Sequence, residues 1–277
     1  MKRFAGSVLA ISAAVIICVL VMKLSCHRYG YTVLSCVSDT TAVKAADVAG
    51  LNESGKNKLN AEDIIMQMVY QLARRSVVKV TVKNAVGSGV IWKIDDGIVI
   101  ASNRHLLMKD VKAAVTFGNR ETVDAQIMGY SQQYDIGFVR IPEETVSNGI
   151  LRDIYEAVPV LYESESDEAK MVFAQNYSGK RILQVGAVID GKTANFSTGS
   201  IRGLSFAPLF NTNVLETECY SKAGMSGGGV FDESGRFLGM ISGGDVPEDS
   251  KIREAELTYS IPPVLMEAEY KDISDRQ

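Results

Sequence analysis

The chain has 277 residues, 46% hydrophobic and 22% charged, the balance of an ordinary globular protein. Its 29 basic and 33 acidic residues leave a net charge of −4, with no basic cluster beyond short pairs, which argues against a nucleic-acid partner. Four cysteines, Cys18, Cys26, Cys36 and Cys219, are too few and too scattered for a disulfide framework.

Residues 4–22, FAGSVLAISAAVIICVLVM, carry no charge and are flanked by Lys2, Arg3 and Lys23. The run matches a bilayer span, is longer than a cleavable signal core, and no small-x-small cleavage site follows closely. Residues 1–23 are therefore expected to form a cytoplasmic tip and a transmembrane signal anchor, with the bulk of the chain outside the cytoplasm. A lipoprotein or a secreted form is the alternative, from the faint lipobox likeness of Leu24-Ser25-Cys26 and Leu34-Ser35-Cys36. Residues 24–59 are polar and without periodicity, the composition of a flexible tether. Asn60 stands where it would cap a short amphipathic helix, with Glu62 and Asp63 in the first turn. Its apolar stripe, Ala61, Ile64, Ile65, Met68, Val69 and Leu72, is expected to pack on its own domain.

From Ser76 the apolar period changes to two. SVVKVTVK, GVIWK, GIVIAS, KAAVTF, TVDAQIMG and DIGFVRI are short β-branched runs between turn residues. A break at 142–155 precedes AVPVLY, KMVFAQ, ILQVGAVID, NFSTGSI, NVLETECY, GGVFD, RFLGMIS and LTYSIP. Many short strands with almost no helix between them predict an all-β protein of barrels or sandwiches. The break divides it into halves over 60–148 and 149–262, followed by a tail over 263–277.

One stretch, KAGMSGGGVFDESGRFLGMISGG, is dense in glycine. Gly224-Met225-Ser226-Gly227-Gly228 fits G-x-S-x-G, the nucleophile elbow of α/β-hydrolases, but that elbow needs an acid and then a histidine later in the chain. The two histidines, His27 and His105, both precede Ser226. A phosphate cradle would need a helix after the glycines, where strand, turn and strand follow. His105 ends the run IVIASNRHLL, and Asp135 opens the apolar strand YDIGFV. The order His105, Asp135, Ser226 is that of a chymotrypsin-type triad. Serine needs a base within hydrogen-bond reach, histidine titrates near neutrality, and an acid fixes the imidazole tautomer. Gly224, Met225 and Ser226 would form an oxyanion turn, with the amides of Gly224 and Ser226 as its donors.

These motifs resemble those of trypsin-like serine proteases of the bacterial HtrA/Deg group. GSGVIWKIDDGIVIASNRHLL is similar to that group's G-S-G run leading into T-N-x-H-V, and YDIGFVRI to its D-[IL]-A strand. GMSGGGVFDESGRFLGMIS is similar to G-N-S-G-G-P-L with the following glycine-bearing strand, and Tyr259-Ser260-Ile261-Pro262 to F-A-I-P. The resemblance covers about 76–262 and implies two six-stranded antiparallel β-barrels of chymotrypsin type, with His105 and Asp135 on the first and Ser226 on the second. Met225 stands where Asn or Asp is usual, and Gly229 where proline is usual. The group's usual PDZ domain has no room after Pro262, so PDZ-mediated substrate capture is not expected.

The resemblance further implies a serine endopeptidase acting through an acyl-enzyme on unfolded or exposed polypeptide, without metal or cofactor, and with homo-oligomers open. Gly239 to Gly244 is similar to the strand that lines the specificity pocket. Ser242 there would support Asp135, and Gly243 and Gly244 would pair with the substrate backbone. Tyr220 occupies the place where a pocket for basic residues holds a charge, which points to small or medium apolar side chains. The competing expectation, from Met225, Gly229 and Arg104 beside His105, where Asn is usual, is a catalytically silent or ligand-activated protease fold used as a binding module. Larger loops are expected in the second half, at the acidic stretch 163–167 and at 246–256.

Overall fold

The computed structural model describes residues 61–83, 85–108, 110–187, 195–245 and 254–276. The expected anchor, the tether, Asn60, Cys18, Cys26 and Cys36 lie outside them. Among the described residues no helix is long and apolar enough to cross a membrane.

Twelve of the apolar runs form strands. β1 (Val77–Val82), β2 (Ala85–Asp95), β3 (Gly97–Ser102), β4 (Lys112–Thr116), β5 (Thr122–Tyr130) and β6 (Gly137–Pro142) close into one antiparallel barrel, ordered β1-β2-β3-β6-β5-β4. β7 (Arg181–Gly186), β8 (Asn195–Ala207), β9 (Thr212–Lys222), β10 (Gly229–Asp232), β11 (Phe237–Gly244) and β12 (Glu254–Ile261) close into a second, ordered β10-β11-β12-β9-β8-β7. Closure gives every strand a neighbour on each side, so neither sheet ends in an edge strand, although strands can run on past their partners.

The strand period divides each barrel's side chains between two cores. In β3 all six residues are buried: Ile98 and Ile100 fill the first barrel, while Val99 and Ala101 face outward into the contact between barrels. Phe237 and Met240 of β11 meet them there, and Leu238 and Ile241 fill the second barrel. A strand apolar on both faces reads as the unbroken run GIVIAS rather than an alternation. Trp92, Phe138, Phe231 and Phe237 are all within 1% of complete burial in this shared core. The two barrels are thus joined by a third hydrophobic core, which fixes how residues from one meet residues from the other.

Three expectations are corrected. Helix α1 (Ala61–Ala73) forms, but it buries Met66, Val69, Tyr70 and Ala73, and leaves Ile64, Ile65 and Met68 exposed. The helix carries two overlapping apolar faces, and the ring of Tyr70 stacks on Phe196 at 4.3 Å, which favours its face. KMVFAQ is helical rather than a strand, within Asp167–Tyr177. Ser166 caps that helix, accepting from the Ala169 amide at 3.1 Å, and Asp167 and Glu168 sit in the favourable first turn. AVPVLY is extended but joins no sheet beyond a single bridge, Pro159 to Phe237. The tail is a helix over Pro263–Ser274 that buries Met266 and Ile273 in the shared core. Too short for a third barrel, it is long enough for three turns with one apolar side.

Candidate active site

His105 lies on α2 (Arg104–Leu107), a single turn that follows β3 and is held by Leu106 and Leu107, both buried in the first barrel. Asp135 arrives on the loop after β5. The Ser131 amide donates to the Ile136 carbonyl at 2.8 Å, and the Ser131 hydroxyl accepts from the amides of Gln133 and Tyr134 at 3.1 and 2.9 Å. That closed loop turns both carboxylate oxygens of Asp135 toward His105. Oδ1 accepts from the His105 backbone amide at 2.9 Å, and Oδ2 lies 2.8 Å from Nδ1. A carboxylate can only accept, so Nδ1 carries a proton, and in the neutral ring Nε2 is the nitrogen with the free lone pair. The acid is 13% exposed and the imidazole 51%, so the base is fixed from beneath while remaining accessible.

Ser226 is the second residue of the latter of two consecutive tight turns. Met225 donates to the Lys222 carbonyl at 3.1 Å, and Gly228 to the Met225 carbonyl at 2.8 Å. The third residues of these turns, Gly224 and Gly227, have φ of 92° and 85°, as type II turns demand. A Cβ at Gly227 would also collide with the Ser88 carbonyl oxygen. The amides of Gly224 and Ser226 have no acceptor among the described residues. Two unengaged N–H groups beside a hydroxyl are what an oxyanion site requires. Leu106 of α2 and the Ser226 carbonyl both come up against Gly87, where a Cβ would meet them at 2.8 and 3.2 Å. The Ser226 hydroxyl makes no hydrogen bond among the described residues; such contacts commonly tighten only when substrate is bound.

Met225 has a clear structural role. It is 1% exposed, packs in the second barrel's core with Ile182, Leu238 and Ile241, and fills the space above Gly186. An apolar anchor therefore holds this turn where a polar residue is usual. At Gly229 a side chain would run into the Phe231 ring, 2.5 Å away, which accounts for the missing proline.

The expected substrate residues lie at the end of β11 and beside it. Ser242 is 5% exposed, and its hydroxyl accepts from Asn103 Nδ2 at 2.8 Å rather than reaching the Asp135 carboxylate. Asn103 Nδ2 also donates to the Asp135 carbonyl at 3.2 Å, so Ser242 supports Asp135 only through Asn103. Asn103 was missed by sequence reasoning; its one signal is its place two residues before His105. Gly243 and Gly244 pair with Tyr259 and Thr258 of β12, and no described strand occupies the other edge of β11 past Ile241. An extended peptide can add there. Tyr220 is 41% exposed, and its carbonyl accepts from Ser197 Oγ at 2.5 Å. Next to it Cys219 is a free, buried cysteine whose thiol burial pushes up to about 11, with a weaker opposite pull from Ser197.

Comparison with known proteins identifies the family and the fold. The profile of the trypsin-like peptidase domain matches residues 87–240. A serine protease HtrA-like protein of Staphylococcus epidermidis is 24% identical over 165 residues, covering 57% of this chain and 26% of its own length. Protease Do-like 1, chloroplastic, of Arabidopsis thaliana is 24% identical over 203 residues, covering 68% and 43%. This chain thus spans about a quarter of the staphylococcal relative and less than half of the plant one. Among solved structures, the HtrA-type protease AlgW with tripeptide superposes with a TM-score of 0.60 at 17% identity, over 75% of this chain and 63% of that one. The serine endoprotease from Yersinia pestis gives 0.57 at 18% identity, over 79% and 68%.

Proposed function

The chain belongs to the trypsin-like peptidase domain family, and on that premise we propose that it is a serine endopeptidase of HtrA type. The observation that carries this reading is the Asp135–His105 pair, which fixes Nδ1 as the donor nitrogen, together with a serine turn whose Gly224 and Ser226 amides have no acceptor among the described residues. Nε2 takes the Ser226 proton as Oγ adds to the peptide carbonyl, and the amides of Gly224 and Ser226 receive the negative oxygen. The imidazolium then protonates the leaving amine, which departs and leaves an ester on Ser226. Water, deprotonated by Nε2, adds to that ester; the acid leaves and the serine regains its proton. The free edge at Gly243 and Gly244 suits an extended, hence unfolded, segment as substrate, and the uncharged Tyr220 suits a small or medium apolar side chain.

The test is treatment of the full chain with a fluorophosphonate, with the adduct mapped by mass spectrometry, beside hydrolysis of an unfolded protein. An adduct on Ser226 with hydrolysis is expected. Binding of peptide with neither adduct nor hydrolysis would instead assign the fold to a binding role. We further propose that residues 4–22 anchor the protein with this domain outside the cytoplasm, on the strength of their uncharged apolar run. Deleting residues 1–23 should move the protein from carbonate-washed membranes to the soluble fraction; retention in the membranes would refute the anchor.

A further inference from the structure

We propose that Ser88, on the first barrel, is the positioning residue of the oxyanion turn on the second. This rests on the reading of Ser226 as nucleophile. Ser88 is fully buried in β2 and bonds with everything it has. Its amide donates to the Ser226 carbonyl at 2.8 Å, and its own carbonyl accepts from the Ser102 hydroxyl at 2.7 Å. Its hydroxyl donates to the Gly224 carbonyl at 2.6 Å and accepts from the Ala187 amide at 2.9 Å. Because Ala187 can only donate, the single hydroxyl proton of Ser88 is committed to Gly224.

The consequence falls on the two catalytic amides. The peptide between Gly224 and Met225 lies between the peptides that carry them. It is gripped from both sides, at its oxygen by Ser88 and at its nitrogen by the Lys222 carbonyl. Glycine at 224 offers little steric resistance to rotation of its flanking peptides. Among the described residues, no other side chain bonds to Gly224 or Ser226. The hydroxyl of Ser88 is therefore what holds the Gly224 amide aimed at the developing oxyanion, and it does so across the barrel contact. Ordinary packing does not require this bond, since the Ser88 backbone bond to Ser226 and the buried Met225 already fix the turn's position.

Ser88→Ala separates positioning from mere support. Per titrated active site, kcat is expected to fall about 10- to 100-fold with KM within about threefold, somewhat less than the loss of a whole oxyanion donor. A peptide boronic acid, whose tetrahedral adduct places an oxygen in that site, should lose affinity by the same factor. A peptide amide of the same sequence, which binds as a ground state, should not. Ser88→Thr, which keeps the hydroxyl, should recover most of the rate. Ser88→Cys, a weak donor, should give an intermediate rate and serves if Ser88→Ala does not fold. A kcat within about twofold of wild type in Ser88→Ala, or equal losses for both inhibitors, overturns the assignment while leaving the protease reading intact. Wild-type protein that neither hydrolyses peptide nor labels overturns both.

Discussion

Ser226→Ala is expected to lower peptide hydrolysis about 10⁶-fold and to eliminate fluorophosphonate labelling, with little change in thermal stability. In the proposed mechanism this hydroxyl forms the ester, with His105 as its base and the amides of Gly224 and Ser226 as donors to the oxyanion. Removing it leaves those donors and the peptide-binding edge, so a small residual rate over water remains. Stability should hold because the hydroxyl makes no hydrogen bond among the described residues, and the turn is fixed by Met225 and by backbone bonds that alanine keeps. Kinetics and a thermal melt on the same preparation check both halves. Hydrolysis by the purified variant at more than a trace of the wild-type rate would remove Ser226 from the mechanism.

Asp135→Asn should lower kcat by about 10⁴ with KM nearly unchanged. One oxygen of the amide can still accept from the His105 backbone, as Oδ1 does at 2.9 Å. The other position becomes an N–H₂ facing Nδ1, where Oδ2 now lies at 2.8 Å. Two donors cannot face each other, so the ring takes the other tautomer and Nε2 acquires the proton it should accept. No substrate contact is lost, hence the split between kcat and KM. A loss below about tenfold would show that the acid does not set the tautomer.

Much of this fold is legible because strand periodicity is local. Side chains two residues apart share a face whatever lies beyond, so the runs from SVVKVTVK to LTYSIP mark strands without knowledge of their partners. KMVFAQ was misread because the apolar run outweighed the capping serine and acids that precede it; Ser166 was the better signal. The face of α1 was misjudged for a different reason. Ile64, Ile65 and Met68 look as fit for burial as Met66, Val69 and Tyr70, and the shared core these three enter, with Phe196 stacked on Tyr70, distinguishes them.

The candidate site divides along the same line. The identities and order of His105, Asp135 and Ser226, and the glycines that permit the turns at 224 and 227, are properties of the chain and its immediate neighbours, and the sequence by itself determined them. Asn103 to Ser242 and Ser88 to Gly224 are bonds across 139 and 136 residues, and no local pattern announces them. They exist because a shared core docks one barrel against the other and leaves these polar groups buried, where an unpaired donor is costly. Which serine and which asparagine meet the candidate catalytic residues was therefore decided only by the tertiary structure, since burial and long-range hydrogen bonding are set by the packing of whole barrels.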